Sequence, residues 1–182
     1  MKNIVLIALI CGIMALFGCS TEKTAEPPQK IPPITLSPAE KEKLMAFQKD
    51  ILDIESLTDK AVKLAVNELK NVIKGGGISI NLPSLIDKAK AECLLGGESL
   101  AKKSIPEALP TEMKKLLYDG KIDLIAAYKT YAESFDAIKS FITDKNPMAL
   151  LEYRKKSSQA QELFTGATDK FKMIMSAAGI AQ

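Results

Sequence analysis

The chain contains no histidine among its 182 residues. That absence removes Ser–His–Asp and Cys–His nucleophilic catalysis, histidine-ligated haem, and most zinc and di-iron sites. Arginine is almost missing too: Arg154 is the only one, and lysine carries the rest of the positive charge. Phosphate and base-edge readers favour the bidentate guanidinium, and a formal charge of +3 is too small for an electrostatic grip on nucleic acid. Lysines and acids alternate along the chain as they do on a solvated surface. Cysteine occurs at positions 11, 19 and 93 only. If the first two belong to an export signal, Cys93 alone remains in the folded part and no intramolecular disulfide can form.

What is present has an ordinary globular balance, 47% hydrophobic and 26% charged, which argues against disorder. A domain of about 150 residues buries roughly 70% of its unfolded surface, so a core needs neither metal nor disulfide. Only one long apolar run exists, Ile4 to Phe17, preceded by Lys2. It fits the core of a secretory signal and falls short of the ~20 residues a membrane-spanning helix requires.

The run ends in Leu16-Phe17-Gly18-Cys19, which resembles the lipobox of bacterial lipoproteins; Phe17 is bulkier than the pattern prefers. The resemblance covers the first twenty residues or so. It implies cleavage before Cys19, a diacylglycerol on its thiol and an acylated new N-terminus, so that residues 1–18 are signal. It also implies a lipid-anchored, extracytoplasmic location. Ser20 in place of Asp is similar to lipoproteins sent to the outer membrane, where the host has two membranes. Each buried CH₂ adds about 0.8 kcal/mol, so two or three chains hold a soluble domain firmly.

Residues 19–36 carry Pro27, Pro28, Pro32 and Pro33 among small and charged residues. Proline fixes φ and removes donors, so the stretch is expected to be an extended, unpacked tether reaching up to about 50 Å.

Residues 37–182 read as an all-α, elongated antiparallel bundle of about four helices. Ser37-Pro38-Ala39-Glu40 is a capping box with proline at the first helical position. The helix it opens runs to Lys74 and stops at Gly75-Gly76-Gly77. Its seam is Leu44, Ile51, Thr58, Ala65 and Val72, with Phe47, Ile54, Ala61 and Leu69 beside it. A second helix begins near Pro83 with Leu82, Ile86, Ala89, Cys93 and Leu100 on one stripe. Gly96-Gly97 interrupts that stripe, so the second helix is expected to be short or broken. The third segment spans Thr111 to Thr143, with a bend expected at Asp119-Gly120; its stripe is Leu117, Leu124, Tyr131 and Ile138 with Tyr128, Phe135 and Ile142. Asn146-Pro147 opens the fourth, whose stripe is Leu150, Tyr153, Ser157, Ala160, Phe164, Ala167, Phe171 and Ile174. Short connections between long helices favour antiparallel neighbours.

Tyr128, Tyr131, Phe135, Tyr153, Phe164 and Phe171 therefore gather on the third and fourth seams, opposite the small residues Ser157, Ala160 and Ala167. Large residues facing small ones are how a bundle interdigitates, and that core reading comes first. A slot for an apolar or aromatic ligand comes second, because a buried tyrosine hydroxyl must find a partner. Under the core reading, Tyr131→Ala should cost about 3–5 kcal/mol.

Cys93 sits on an apolar stripe with Lys90 and Glu92 exerting opposed effects, and is expected to be a buried, inert thiol. Met45, Met113, Met148, Met173 and Met175 are too scattered for a copper(I) site and are read as core filling. Arg154-Lys155-Lys156 reads as a solvated face. The carboxylate pairs Asp50/Asp53 and Glu133/Asp136 lie off the seams, where nothing supplies the shifted pKa a catalytic acid needs.

No metal, cofactor or catalytic role is expected. The expected function is a non-enzymatic, membrane-tethered module that docks a partner protein or braces an envelope assembly. The alternatives are a small-molecule binding or sensing bundle, and a self-protection lipoprotein that intercepts a toxin.

Overall fold

The computed structural model describes residues 33–180, and the signal, the lipobox with Cys19 and most of the tether lie outside that range. Four helices follow in order: α1 (Pro38–Ile73), α2 (Leu82–Lys102), α3 (Thr111–Asp144) and α4 (Pro147–Ala177). Their limits are set by local chemistry. At the start of α1 the Glu40 N–H donates to Ser37 Oγ (3.3 Å) while the Ser37 N–H donates to Glu40 Oε2 (2.7 Å). At its end Gly75 takes φ 91°, which lets the Gly75 and Gly76 N–H groups close on the Val72 and Asn71 carbonyls. Gly179, at φ 64°, ends α4 the same way through Ser176 and Met175. Asn146 Oδ1 accepts the Met148 N–H (2.9 Å) and opens α4.

The C-terminus of α2 is closed by a lysine from another helix. Lys121 of α3 is buried, and its Nζ donates to the carbonyls of Ala101 (3.1 Å) and Lys103 (2.7 Å). A cation over unsatisfied C-terminal carbonyls answers both their hydrogen-bonding need and the helix dipole. Its stem shares the core face with Leu117 and Leu124.

The helices run alternately up and down. Ion pairs between neighbours fix the register: Asp50 with Lys103 and Lys139 with Asp87 (each 2.7 Å), Lys90 with Asp136 (2.7 Å), and Lys156 with Glu133 (2.7 Å). Lys170 and Asp123 pair between α3 and α4 as well. These mostly exposed pairs hold registration more than stability. All four members of the two carboxylate pairs are surface groups, and three of them serve in this way.

The stripes form the core as expected. Leu44, Phe47, Ile51, Ala65 and Leu69 of α1 meet Leu82, Ile86, Ala89, Cys93 and Leu100 of α2, joined by Leu117, Leu124, Phe135 and Ile138 of α3 and Ile174 of α4. Four expectations need correction. First, α2 is the shortest helix, as expected, with 21 residues, but Gly96 and Gly97 do not interrupt it: both are buried mid-helix. A Cβ on Gly96 would lie 2.7 Å from Thr58 Oγ1, so this glycine lets α1 and α2 approach closely. Second, α3 runs through Asp119-Gly120 as one helix. Gly120 accepts the ring of Phe171, which lies 3.2 Å from where its Cβ would be. Third, the end of the tether is packed: Leu36 is buried and the Ile34 N–H donates to the Ala177 carbonyl (2.9 Å). Fourth, only Met113 and Met175 fill the core, while Met45 and Met148 are exposed.

One property of the packing sets the position of the site. Each helix packs on its neighbours in sequence, but no Cα of α1 comes within 8 Å of any in α4. The bundle has a closed side, through α2, and an open seam between its first and last helices, floored by α3.

Candidate functional site

Side chains from α1, α3 and α4 converge on the open seam and leave two adjoining hollows. The first, about 50 Å³, lies among Val62, Lys63 and Val66 of α1, Tyr131, Ser134 and Phe135 of α3, and Tyr153, Ser157 and Gln161 of α4. The second, about 40 Å³, lies among Glu55, Thr58, Tyr128 and Phe164. Asp59, Val62 and Tyr131 border both, so the two are sections of one furrow. Each has room for a few water-sized groups.

Five of the six sequence-selected aromatics line this furrow: Tyr128, Tyr131, Phe135, Tyr153 and Phe164. Phe171 does not; its ring is spent on Gly120. Tyr128, Phe135, Tyr153 and Phe164 are buried, whereas Tyr131, at the centre of the α3 stripe, is half-buried. Its hydroxyl donates to Gln161 Oε1 across the α3–α4 interface (3.0 Å). The cluster is therefore core on its inner side and furrow wall on its outer side.

The polar groups of the furrow are unusual for such a site. Burial, with the negative charge of Asp59 adding to it, pushes the Glu55 carboxyl up to about 7. Burial, with Glu55 adding to it, holds the Tyr128 hydroxyl well above its ordinary value, against the opposing contact with Thr58. Asp59 is engaged by Lys63, one turn along the same helix. Burial also raises Tyr153, with the nearby Ser157 hydroxyl opposing the rise. That approach falls short of a full hydrogen bond, and the buried Ser157 Oγ has no partner among the described residues.

Glu55 and Asp59 had no place in the sequence-level site. Their one signal was position: spaced by four on α1, on the flank of its apolar stripe, where only an open seam half-buries them.

Glu55 has a measurable signature. A carboxyl that binds its proton more tightly when folded makes stability fall as pH rises from its unfolded value near 4.5 through 7. Glu55→Gln removes that loss. The variant is expected to match the parent at pH 4 and to exceed it by as much as about 3 kcal/mol at pH 8. Urea unfolding across that range measures it, and parallel pH profiles for the two proteins would contradict it.

The remaining candidates lie elsewhere. Cys93 is fully buried, and burial with Glu92 pushes its thiol up to about 12, which makes it a poor nucleophile. Lys90 does not help it, being paired with Asp136. Arg154 and Lys155 are exposed on α4, while Lys156 binds Glu133. Among the described residues no group of three or more His, Cys, Asp or Glu could hold a metal, and no helix is long and apolar enough to cross a membrane. Set beside protein-family models, curated proteins and solved structures, the chain matches none of them.

Proposed function

We propose that this chain is a lipid-anchored, extracytoplasmic docking module without catalytic chemistry, held through Cys19 and presenting the far end of its bundle to a partner protein. The supporting observation is the distribution of exposed apolar side chains at the tip. Ile78 and Ile80 on the α1–α2 connection are 41% and 93% exposed, and Met148 and Leu151 at the start of α4 are 65% and 54% exposed. Up-and-down topology puts both connections at one end, opposite the end where the tether enters. Single exposed apolar residues are commonplace, but four at one end of the bundle, two on the α1–α2 connection and two in the first turns of α4, are the kind of surface that partners cover.

Lys74, Lys145 and Lys155 are exposed around these residues, together with Asp144 and Glu152. The partner this suits carries an apolar patch with a predominantly acidic rim. Length supports the same reading: α1, of 36 residues, is about 54 Å long.

The test uses the full chain in cells. Photo-crosslinking side chains at Ile80 or Met148 are expected to capture one protein, with an apolar, acid-rimmed patch, that a crosslinker at the exposed Glu162 does not. Ile80→Lys should abolish capture without changing the helical content. Cys19→Ser should abolish fatty-acid labelling and release the chain from the membrane fraction. Equal capture from all positions would overturn the docking surface, and equal labelling of the Cys19 variant would overturn the anchor.

A further inference from the structure

The furrow holds a carboxyl that the chain leaves without a partner. Glu55 makes no hydrogen bond or ion pair with any described residue, while its neighbour Asp59 is engaged by Lys63. Tyr128, Tyr131 and Phe164 line the same hollow. Aromatic rings beside a carboxylate are the surroundings in which an organic ammonium ion is held, through ring quadrupole and charge together. The adjoining hollow supplies an independent sign of a missing partner, the buried and unsatisfied Ser157 Oγ. Buried hydroxyls are nearly always satisfied, so an orphan facing a furrow marks a place where something else completes the bond.

We infer that this furrow binds a small ammonium compound with a hydroxyl on a short tail, its cationic head against Glu55 and the aromatic lining and its tail at Ser157 Oγ. Size agrees: hollows of about 50 and 40 Å³ hold roughly seven atoms of water size, the number of heavy atoms in choline. A cation in the hollow draws Glu55 into its ionised form, so binding releases a proton and strengthens as pH rises. The other charges facing the site are Asp59 and Lys63 of α1, which largely offset each other. This site is independent of the tip and stands or falls without it.

The test titrates the full chain, isotope-labelled and held in a sugar-headgroup detergent, with choline. Saturable shifts at Val62, Tyr131 and Ser157 are expected. The uncharged isostere, in which carbon replaces the quaternary nitrogen, should bind about tenfold more weakly or worse. Glu55→Gln should lose about tenfold in affinity with its circular dichroism unchanged. Ser157→Ala should weaken choline several-fold yet leave tetramethylammonium, which has no hydroxyl, unaffected. Displacement of choline by phosphatidylcholine vesicles would assign the head to a lipid, and lack of displacement to a free compound. Equal binding of the isostere, or undiminished binding by Glu55→Gln, would overturn the site.

Discussion

Phe135→Ala is expected to lower stability by about 3–5 kcal/mol, while Tyr131→Ala, one turn away on the same helix, should lower it by only about 1–2 kcal/mol. Phe135 is 1% exposed, so truncating it opens a void that the surrounding core cannot refill. Tyr131 stands half-buried between the two hollows. Removing its ring widens a furrow that is already open to solvent, and the chief loss is its contact area and the hydroxyl bond to Gln161. Sequence periodicity alone placed both residues in a sealed seam, where Tyr131→Ala would cost about 3–5 kcal/mol. Denaturant unfolding of the two variants distinguishes these cases. Equal losses of about 4 kcal/mol would mean that α1 and α4 close over Tyr131 in solution.

The glycine pair of α2 should respond in opposite directions to the same change. Both positions are mid-helix, where alanine is intrinsically better than glycine by about 1 kcal/mol. At Gly97 an added methyl would find Tyr128 Cβ at 3.8 Å and the Ile125 carbonyl at 3.9 Å, which is ordinary contact. Gly97→Ala is therefore expected to stabilise by about 0.5–1 kcal/mol. At Gly96 the methyl would meet Thr58 Oγ1 at 2.7 Å. That hydroxyl is held by the Ile54 carbonyl (3.1 Å) on a stiff, β-branched side chain and cannot swing clear cheaply. Gly96→Ala should cost about 1–3 kcal/mol net of its propensity gain. Thr58→Ala in the same chain should recover most of that loss, a coupling that a double-mutant cycle measures directly. Thermal unfolding of the two alanine variants showing shifts of the same sign would refute this account.

These residues also show how far the sequence could be followed. Helix limits were legible because each is decided within a few residues: Ser37 with Glu40, Gly75 after Ile73, Asn146 before Pro147. The stripes were legible because helical periodicity is local. What Gly96 and Gly120 do was not, since a glycine's function depends on the side chain opposite, Thr58 in one case and Phe171 in the other. The place of Lys121 between Leu117 and Leu124 puts it on the core face, but its carbonyl partners come from the end of another helix, which no pattern within α3 encodes. The furrow depends on a distance between the first and last helices, and no pattern within either helix encodes it. Hence five of the aromatics could be gathered from the sequence, while Glu55 and its unpartnered carboxyl could not.

The bond from Ile34 to Ala177 has a mechanical consequence. A pull on the chain ahead of Ile34 would enter the bundle at the one end where α1 begins and α4 stops. Two load paths leave that junction. One passes into α4 through the Ile34–Ala177 backbone hydrogen bond and the packing of Ile34 and Leu36 on the core. The other runs along the axis of α1, whose backbone approaches only α2. Tension there becomes shear along the α1–α2 interface, resisted over its whole length by interlocked side chains and by the Thr58–Gly96 notch. A leash fastened to α4 alone would peel the last helix away one turn at a time, whereas this attachment makes the bundle yield only by sliding.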